Sequence, residues 1–403
     1  MMAPAETTRQ RPRGPFVTVA AAAALTFGAA GCAIDLSHWR PGAEEEASPS
    51  PTPVEAAPLL ESALDQLAEA PAVRLQGQFA DSDGQPREST LLVADSGATS
   101  GTVDVDGTEV QVTQVDGRMF LSADDSYWLT QSLYDNPDSD SYAEHWVQVR
   151  PEVLGIDPQT VLAPAELAEI LRAQAPDGGT ATEEKLDGNP VYRIDLANGK
   201  MWLDKEAPHD LLRMEITDLA PTEGEAPAIR TAFNLSQPDQ ADLETFYDDL
   251  IALTEDDLTS ARDSRLIVQW EGELSLDCET GGACSVSGTV TDMSDSDSGT
   301  VLVRMDATMN NAELGEKKCN DSAALEAGGT VDLSCGVDYA LAPSANPQSY
   351  EIEGEALLST RALSGSAAEE LPAKLKDQRE ATLAKVDGGA GQSPEASASP
   401  SGN

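Results

Sequence analysis

Short runs of alternating apolar and polar residues, cut by Asp-Gly and Asn-Gly pairs, constrain this chain more than any other feature. Val73 to Phe79, Thr90 to Val93, Thr102 to Val105, Glu109 to Val115, Arg118 to Leu121 and Tyr127 to Thr130 alternate first. Val191 to Leu196, Lys200 to Asp204, Leu211 to Thr217 and Ile229 to Leu235 alternate later. A period of two sends successive side chains to opposite faces of a sheet. Asp106-Gly107, Asp116-Gly117 and Asn198-Gly199 supply tight turns between the runs. Helical spacing appears in three places. Leu60, Ala63, Leu64 and Leu67 mark an opening helix, and Pro164 starts a second, with Leu167, Ile170 and Leu171 on one face. Leu243, Phe246, Tyr247, Leu250 and Ile251 mark a third. Residues 56–260 therefore predict an α+β region, a curved antiparallel sheet of about ten strands with the helices on one face.

A second alternating block covers 264–362. Leu266, Val268 and Trp270 share a phase, as do Leu274, Leu276 and Cys278, then Cys284, Val286, Gly288 and Val290. Val301 to Ala307, Val331 to Leu341 and Tyr350 to Leu358 complete it. Short strands separated by Gly, Asp and Asn predict a small immunoglobulin-like β-sandwich. The Cys…Trp…Cys arrangement of antibody domains is absent, so that likeness is architectural. Residues 363–403 read as a weak helix, with Leu371, Leu375 and Val386 inward, followed by a disordered Gly/Ser/Pro tail.

The N-terminus predicts the location. Arg9, Arg11 and Arg13 precede an apolar run from Phe16 to Ala30, too short for a comfortable membrane span and typical of a signal-peptide core. The run closes on Ala29-Ala30-Gly31-Cys32, which resembles a lipobox. Residues 1–31 are then a signal peptide, and Cys32 is the lipid-attachment residue. Residues 32–55, with Glu44-Glu45-Glu46 and the Ser-Pro run beyond, form an extended tether. The expected place is the extracytoplasmic face of the cell membrane, held to the bilayer by the acyl anchor.

Composition removes several functions. Against 25 Lys and Arg stand 71 Asp and Glu, a formal charge of −46. Such a chain does not neutralise nucleic-acid phosphates. Three histidines leave little scope for a zinc site or a triad, and neither G-x-S-x-G nor S-x-x-K occurs. His145 and His209 read as surface or turn residues. The acidic stretches Asp81-Ser82-Asp83-Gly84 and Asp292, Asp295, Asp297, Gly299 lack the ligand spacing of an EF-hand and read as hairpin tips. No catalytic residue, metal or cofactor is expected. Setting Cys32 aside, Cys278, Cys284, Cys319 and Cys335 lack C-x2-C spacing; outside the cytosol they predict two disulfides. Of the three connectivities, the sequential one, Cys278–Cys284 and Cys319–Cys335, is expected.

One resemblance rests on particular stretches: "VRLQGQF" at 73–79, "GTVDVDGTEVQVTQVDGRMFLSADDSYWL" at 101–129, "HWVQVRPEVLGIDP" at 145–158 and "MWLDKEAPHDLLRMEI" at 201–216. With the opening helix, they resemble the LppX/LprG group of actinobacterial lipoproteins, related in fold to the carrier LolA. The resemblance covers roughly half the chain, and the block at 264–362 is no part of it. It implies a half-barrel enclosing a hydrophobic cavity for acyl chains. Alternation nominates the wall of such a cavity: Leu91, Val93, Val103, Val105, Val110, Val112, Met119 and Leu121, then Ile194, Leu212, Met214, Phe233 and Leu235. Leu167, Ile170 and Leu171 add the second helix. The expected function is binding or carrying a lipid or glycolipid; protein partners are not named by the sequence. The competing expectation is a non-catalytic envelope interaction protein whose half-barrel is filled by its own core.

Overall fold

The computed structural model describes residues 53–389, except 81–83, 132, 134, 177, 223–226 and 344–347, and leaves out the side chains of 387–389. Cys32, the apolar run before it, the tether up to residue 52, Asp81-Ser82-Asp83 and the tail from 390 lie outside the described residues.

The described part opens with β1 (Val54–Glu55) and α1 (Ala56–Glu69). The meander β2 (Ala72–Ala80), β3 (Pro86–Ala94), β4 (Thr99–Val105), β5 (Thr108–Val115) and β6 (Arg118–Ser122) follows. Then come α2 (Asp125–Thr130), β7 (Val147–Val149), two single-turn helices, α3 (Pro151–Leu154) and α4 (Pro158–Val161), and α5 (Pro164–Ala173). A second meander runs β8 (Thr180–Leu186), β9 (Asn189–Leu196), β10 (Gly199–Asp204), β11 (Leu211–Leu219) and β12 (Ile229–Ser236), leading into α6 (Gln240–Asp256) and β13 (Arg262–Asp263). Together these strands make one open sheet of 13 strands, ordered β1-β8-β9-β10-β11-β12-β2-β3-β4-β5-β6-β7-β13. All its pairings are antiparallel except β7 with β13. The class is α+β.

Several local outcomes follow from turn and cap chemistry. Asp106-Gly107 and Asp116-Gly117 all hold positive φ, as a two-residue hairpin of the primed type requires. At the β9–β10 turn, Gly199 already pairs with Leu196, so the turn residues are Ala197 and Asn198, a correction to the expected Asn198-Gly199. Tyr127 to Thr130, expected as a strand, is the helix α2. Asp124 caps it, its carboxylate accepting from the Tyr127 amide at 3.1 Å, and a cap of this kind outweighs a four-residue alternation. Within the sheet, a Cβ on Gly77 would lie 2.1 Å from the Ala232 carbonyl oxygen, and one on Gly101 2.1 Å from that of Thr90. Only glycine lets neighbouring backbones come that close.

The helices lie on both faces of the sheet, not on one. On the first face, Leu60, Ala63, Leu64 and Leu67 of α1 and Leu167, Ile170 and Leu171 of α5 join the inward residues of the strands in one buried cluster. On the second face, Ala72, Ala94, Val115 and Phe120 meet Leu243, Phe246, Tyr247 and Leu250 of α6. Beyond β13 the chain forms β14 (Val268–Cys278), β15 (Ala283–Asp292), β16 (Thr300–Asn311), β17 (Gly315–Glu326), β18 (Thr330–Asp338) and β19 (Glu353–Arg361), then α7 (Gly365–Gly389). The last helix returns to the first region: Leu371 and Leu375 pack into the α6 cluster, and Tyr247 Oη lies 2.9 Å from Thr382 Oγ1.

The six strands between form two antiparallel three-stranded sheets, β14-β15-β18 and β17-β16-β19. They share one core that includes Val286, Val290, Val303, Met305 and Leu333. Both expected disulfides are present. Cys278–Cys284 joins directly opposed residues of the β14–β15 hairpin. Cys319–Cys335 ties β17 to β18, and so one sheet to the other. No helix of the described residues is long and apolar enough to cross a membrane.

Candidate hydrophobic site

Alternation gathers the nominated wall onto the first face of the large sheet. Leu91 and Val93 from β3, Val103 from β4, Val110 and Val112 from β5 and Met119 and Leu121 from β6 are buried in one cluster. Ile194, Met214, Phe233 and Leu235 come from the second meander, with Leu167, Ile170 and Leu171 from α5. None of these is more than 6% exposed. Val105, at the end of β4, is partly buried against the same cluster.

Leu212 departs from the expectation. The β10–β11 register slips between Trp202 and Leu203: Trp202 faces Arg213, but Leu203 faces Leu211. The extra residue of that bulge is Leu212, so Leu211 takes the inward place and Leu212 is left half-buried.

Leu212 nevertheless reaches the site's edge. A notch of about 280 Å³ opens beside it, lined by Ala63 and Leu67 of α1, Val73 of β2, Leu211 and Leu235. All five of these belong to the buried cluster, so the notch runs from solvent onto the apolar face. Two hydrogen bonds tie α1 to the β10–β11 connection at its rim. Gln66 Nε2 donates to Asp210 Oδ1 at 2.5 Å, and Ser62 Oγ donates to the Pro208 carbonyl at 3.1 Å.

Sequence reasoning missed two polar features. The first is a buried network where the large sheet meets the paired small sheets. Asn136 donates to the Leu266 carbonyl at 3.1 Å and accepts from the Val268 amide at 2.9 Å. Asp138 accepts from the Thr360 amide at 2.9 Å and lies 3.5 Å from the Arg262 guanidinium. Asp263, fully buried, holds Arg265 through both carboxylate oxygens. Burial pushes the Asp138 and Asp263 carboxyls above the usual carboxylate range, against the pull of Thr360 and Arg262 on the first and Arg265 on the second. The second feature is a set of hydroxyls on the apolar face, Ser89 and Thr231. Their phase was legible: Ser89 alternates with Leu91 and Val93, and Thr231 with Phe233 and Leu235.

The remaining candidates are structural. His145 Nδ1 lies 2.9 Å from the Ser141 carbonyl, and His209 Nδ1 3.1 Å from that of Asp204. The Asp292 carboxylate is taken up by the Ser294 amide and hydroxyl and the Gly328 amide. Among the described residues no group of His, Cys, Asp and Glu could hold a metal ion.

No family model matches this chain, and no curated protein matches it. Among solved structures it is similar to MucB in complex with MucA(peri), at 11% identity over 66% of this chain and 92% of that one, with a TM-score of 0.22. It is also similar to the Pseudomonas aeruginosa MucA/MucB complex, at 13% identity over 78% and 95%, again with a TM-score of 0.22. A likeness at that score carries no argument for this chain. What fold and site define is an α+β protein with a two-faced open sheet, one face largely apolar and reached by a notch.

Proposed function

We propose that this protein is an extracytoplasmic lipoprotein, anchored through Cys32, that binds or carries an acyl chain of a lipid or glycolipid without catalysing a reaction on it. The observation that carries this reading is the apolar, mainly aliphatic face under α1 and α5, with the notch beside Leu67, Leu211 and Leu235 opening onto it. A wall in which aliphatic side chains outnumber aromatic ones suits flexible hydrocarbon better than flat rings or sugars, which favour stacking. On this reading the large sheet is the half-barrel of the LppX/LprG-like group, and the paired small sheets are an appended immunoglobulin-like sandwich. Native mass spectrometry of the membrane-extracted protein tests it: co-purified lipid is expected, and a lipid-free protein that takes up none counts against it. Cys32→Ala should release the protein from the membrane fraction.

A second reading, the interaction scaffold, is favoured by the near-zero exposure of the wall, whose residues fill the space against one another. Val103→Trp separates the two. In a filled core, overpacking costs about 1–3 kcal/mol. If the face opens to admit a ligand, the melting temperature stays nearly unchanged while lipid uptake is lost.

A further inference from the structure

The notch is apolar below and polar at its mouth. Small residues leave the space: Ala63, Ala70 and Ala72 line it, each no more than 5% exposed. Beside them Leu67, Leu211 and Leu235 are 7%, 8% and 6% exposed, whereas Leu75, Leu91 and Met214 on the same face are at 0%. The apolar face thus shows to solvent at this point. The notch, at about 280 Å³, sits at the small end of small-molecule sites, which run from about 300 to 1,000 Å³. That is room for part of an amphiphile, the stretch where chain meets headgroup.

Asp210, Ser236 and Gln237 line the same notch, with Gln66. Gln66 Nε2 holds one oxygen of the Asp210 carboxylate. The other oxygen, the Ser236 hydroxyl and the Gln237 amide have no hydrogen-bond partner among the described residues. Ser236 is exposed and Asp210 and Gln237 are half-buried, so all three can be met from solvent. Among the described residues no Lys, Arg or His lines the notch. Two guanidiniums on adjoining elements are already taken. Arg74, opposite Ser236 on β2, pairs with Asp242 of α6 at 3.0 Å, and Arg172 of α5 with Asp65 of α1 at 2.7 Å.

A carboxylate only accepts hydrogen bonds, while a hydroxyl and an amide both donate and accept. A phosphate headgroup would bring acceptors and negative charge to Asp210, with no cation to offset them. An ammonium could use Asp210 but would leave the donors of Ser236 and Gln237 unanswered. A hydroxyl donates and accepts, and so serves all three groups.

We propose that the notch holds the neck of an acyl ligand whose headgroup is an uncharged polyol, a sugar or glycerol. Asp210, Ser236 and Gln237 receive that headgroup at the mouth, and Asp210 turns phosphate away. This rests on the acyl-chain reading above and narrows it, from lipids at large to those without a charged headgroup.

The test is calorimetric titration of the full chain with decyl glucoside, decyl phosphate and decylammonium, each below its micelle concentration. The glucoside should bind about tenfold more tightly than the phosphate. Asp210→Asn, which keeps an oxygen for Gln66, should close most of that gap by raising phosphate affinity, a gain that damage to the fold cannot produce. Ser236→Ala/Gln237→Ala should weaken the glucoside about tenfold and leave decylammonium as before. Added salt should narrow the gap between glucoside and phosphate in the parent, because it screens Asp210. A parent that binds the phosphate or decylammonium as tightly as the glucoside keeps the acyl reading and refutes the headgroup assignment. An unchanged phosphate affinity in Asp210→Asn would overturn it too, as would an unchanged glucoside affinity in the double variant. A parent that binds none of the three refutes the acyl reading itself, and the headgroup assignment with it.

Discussion

The large sheet and the pair of small sheets solve the same problem, covering strands, in opposite ways. In β6, Met119, Phe120 and Leu121 are all buried, because α1 and α5 close one face and α6 and α7 the other. In β17, which spans 12 residues, Leu325 alone is buried, and the outer side carries Glu316, Lys318 and Asn320. A sheet covered on both faces draws its stability from apolar area, at about 25 cal/mol per Å² removed from water. A pair of three-stranded sheets has one thin core between them and adds covalent ties. Both disulfides of the described residues lie there. Breaking each kind of support in turn is the way to test the contrast.

The largest effect should come from the helix that returns over the sheet. Leu375→Ala empties a buried position more than 100 residues downstream of α6, yet it should destabilise the large sheet by about 2–5 kcal/mol. Urea unfolding followed by hydrogen exchange checks this, with β5 and β6 losing protection alongside α6. A change confined to α7, or no change, would mean that the second face is not closed as described.

Removing the disulfides should act on the other side of the contrast. Chain entropy assigns about 3 kcal/mol to Cys319–Cys335 and about 2 kcal/mol to Cys278–Cys284, since the first closes the longer loop. Cys319→Ser/Cys335→Ser should therefore cost more than Cys278→Ser/Cys284→Ser. The amides of β15 and β16 should lose protection first while those of β3 and β5 keep theirs. Equal loss in both regions would show one cooperative unit and would dissolve the comparison.

The same contrast explains what was legible in the sequence. Where a sheet has one buried face, alternation reads cleanly: Val301, Val303, Met305 and Ala307 are all inward in β16, as their spacing requires. In the large sheet the inward phase was equally plain at Leu91 and Val93 or Val110 and Val112. The second face escaped notice because its contributions are single residues, Ala94, Val115 and Phe120, scattered over strands already read for their other side. β17 was missed because Glu316 to Asp321 is polar throughout, its inward positions being filled by Cys319 and Asp321. Leu212 was misplaced because a bulge cannot be seen in a single strand; it exists only in the pairing of β11 with β10. The junction network was invisible for a related reason. Asn136 and Asp138 meet Val268 and Thr360 more than 100 residues away, and nothing local marks a polar residue for so distant a partner.

That junction, where the two kinds of sheet meet, supplies the smallest and most specific effect. Asp138 is buried beside Arg262, Tyr142 and Asp263, with Arg265 on the latter, and burial raises its carboxyl above the ordinary 3.8. The folded protein thus keeps this proton to a higher pH than the unfolded chain does. Stability linked to the group is complete below about pH 4 and is lost as pH rises through the folded-state value. Asp138→Asn removes the titration while an amide oxygen can still accept from the Thr360 amide. At pH 4 the variant should match the parent closely. Between pH 4 and 7 the parent should lose ground to the variant, read as a smaller pH slope of the urea midpoint in Asp138→Asn. If instead the variant falls further behind as pH rises, the Arg262 pair outweighs burial, and the junction is an ion-pair clasp that tightens toward neutrality rather than one that tightens in acid.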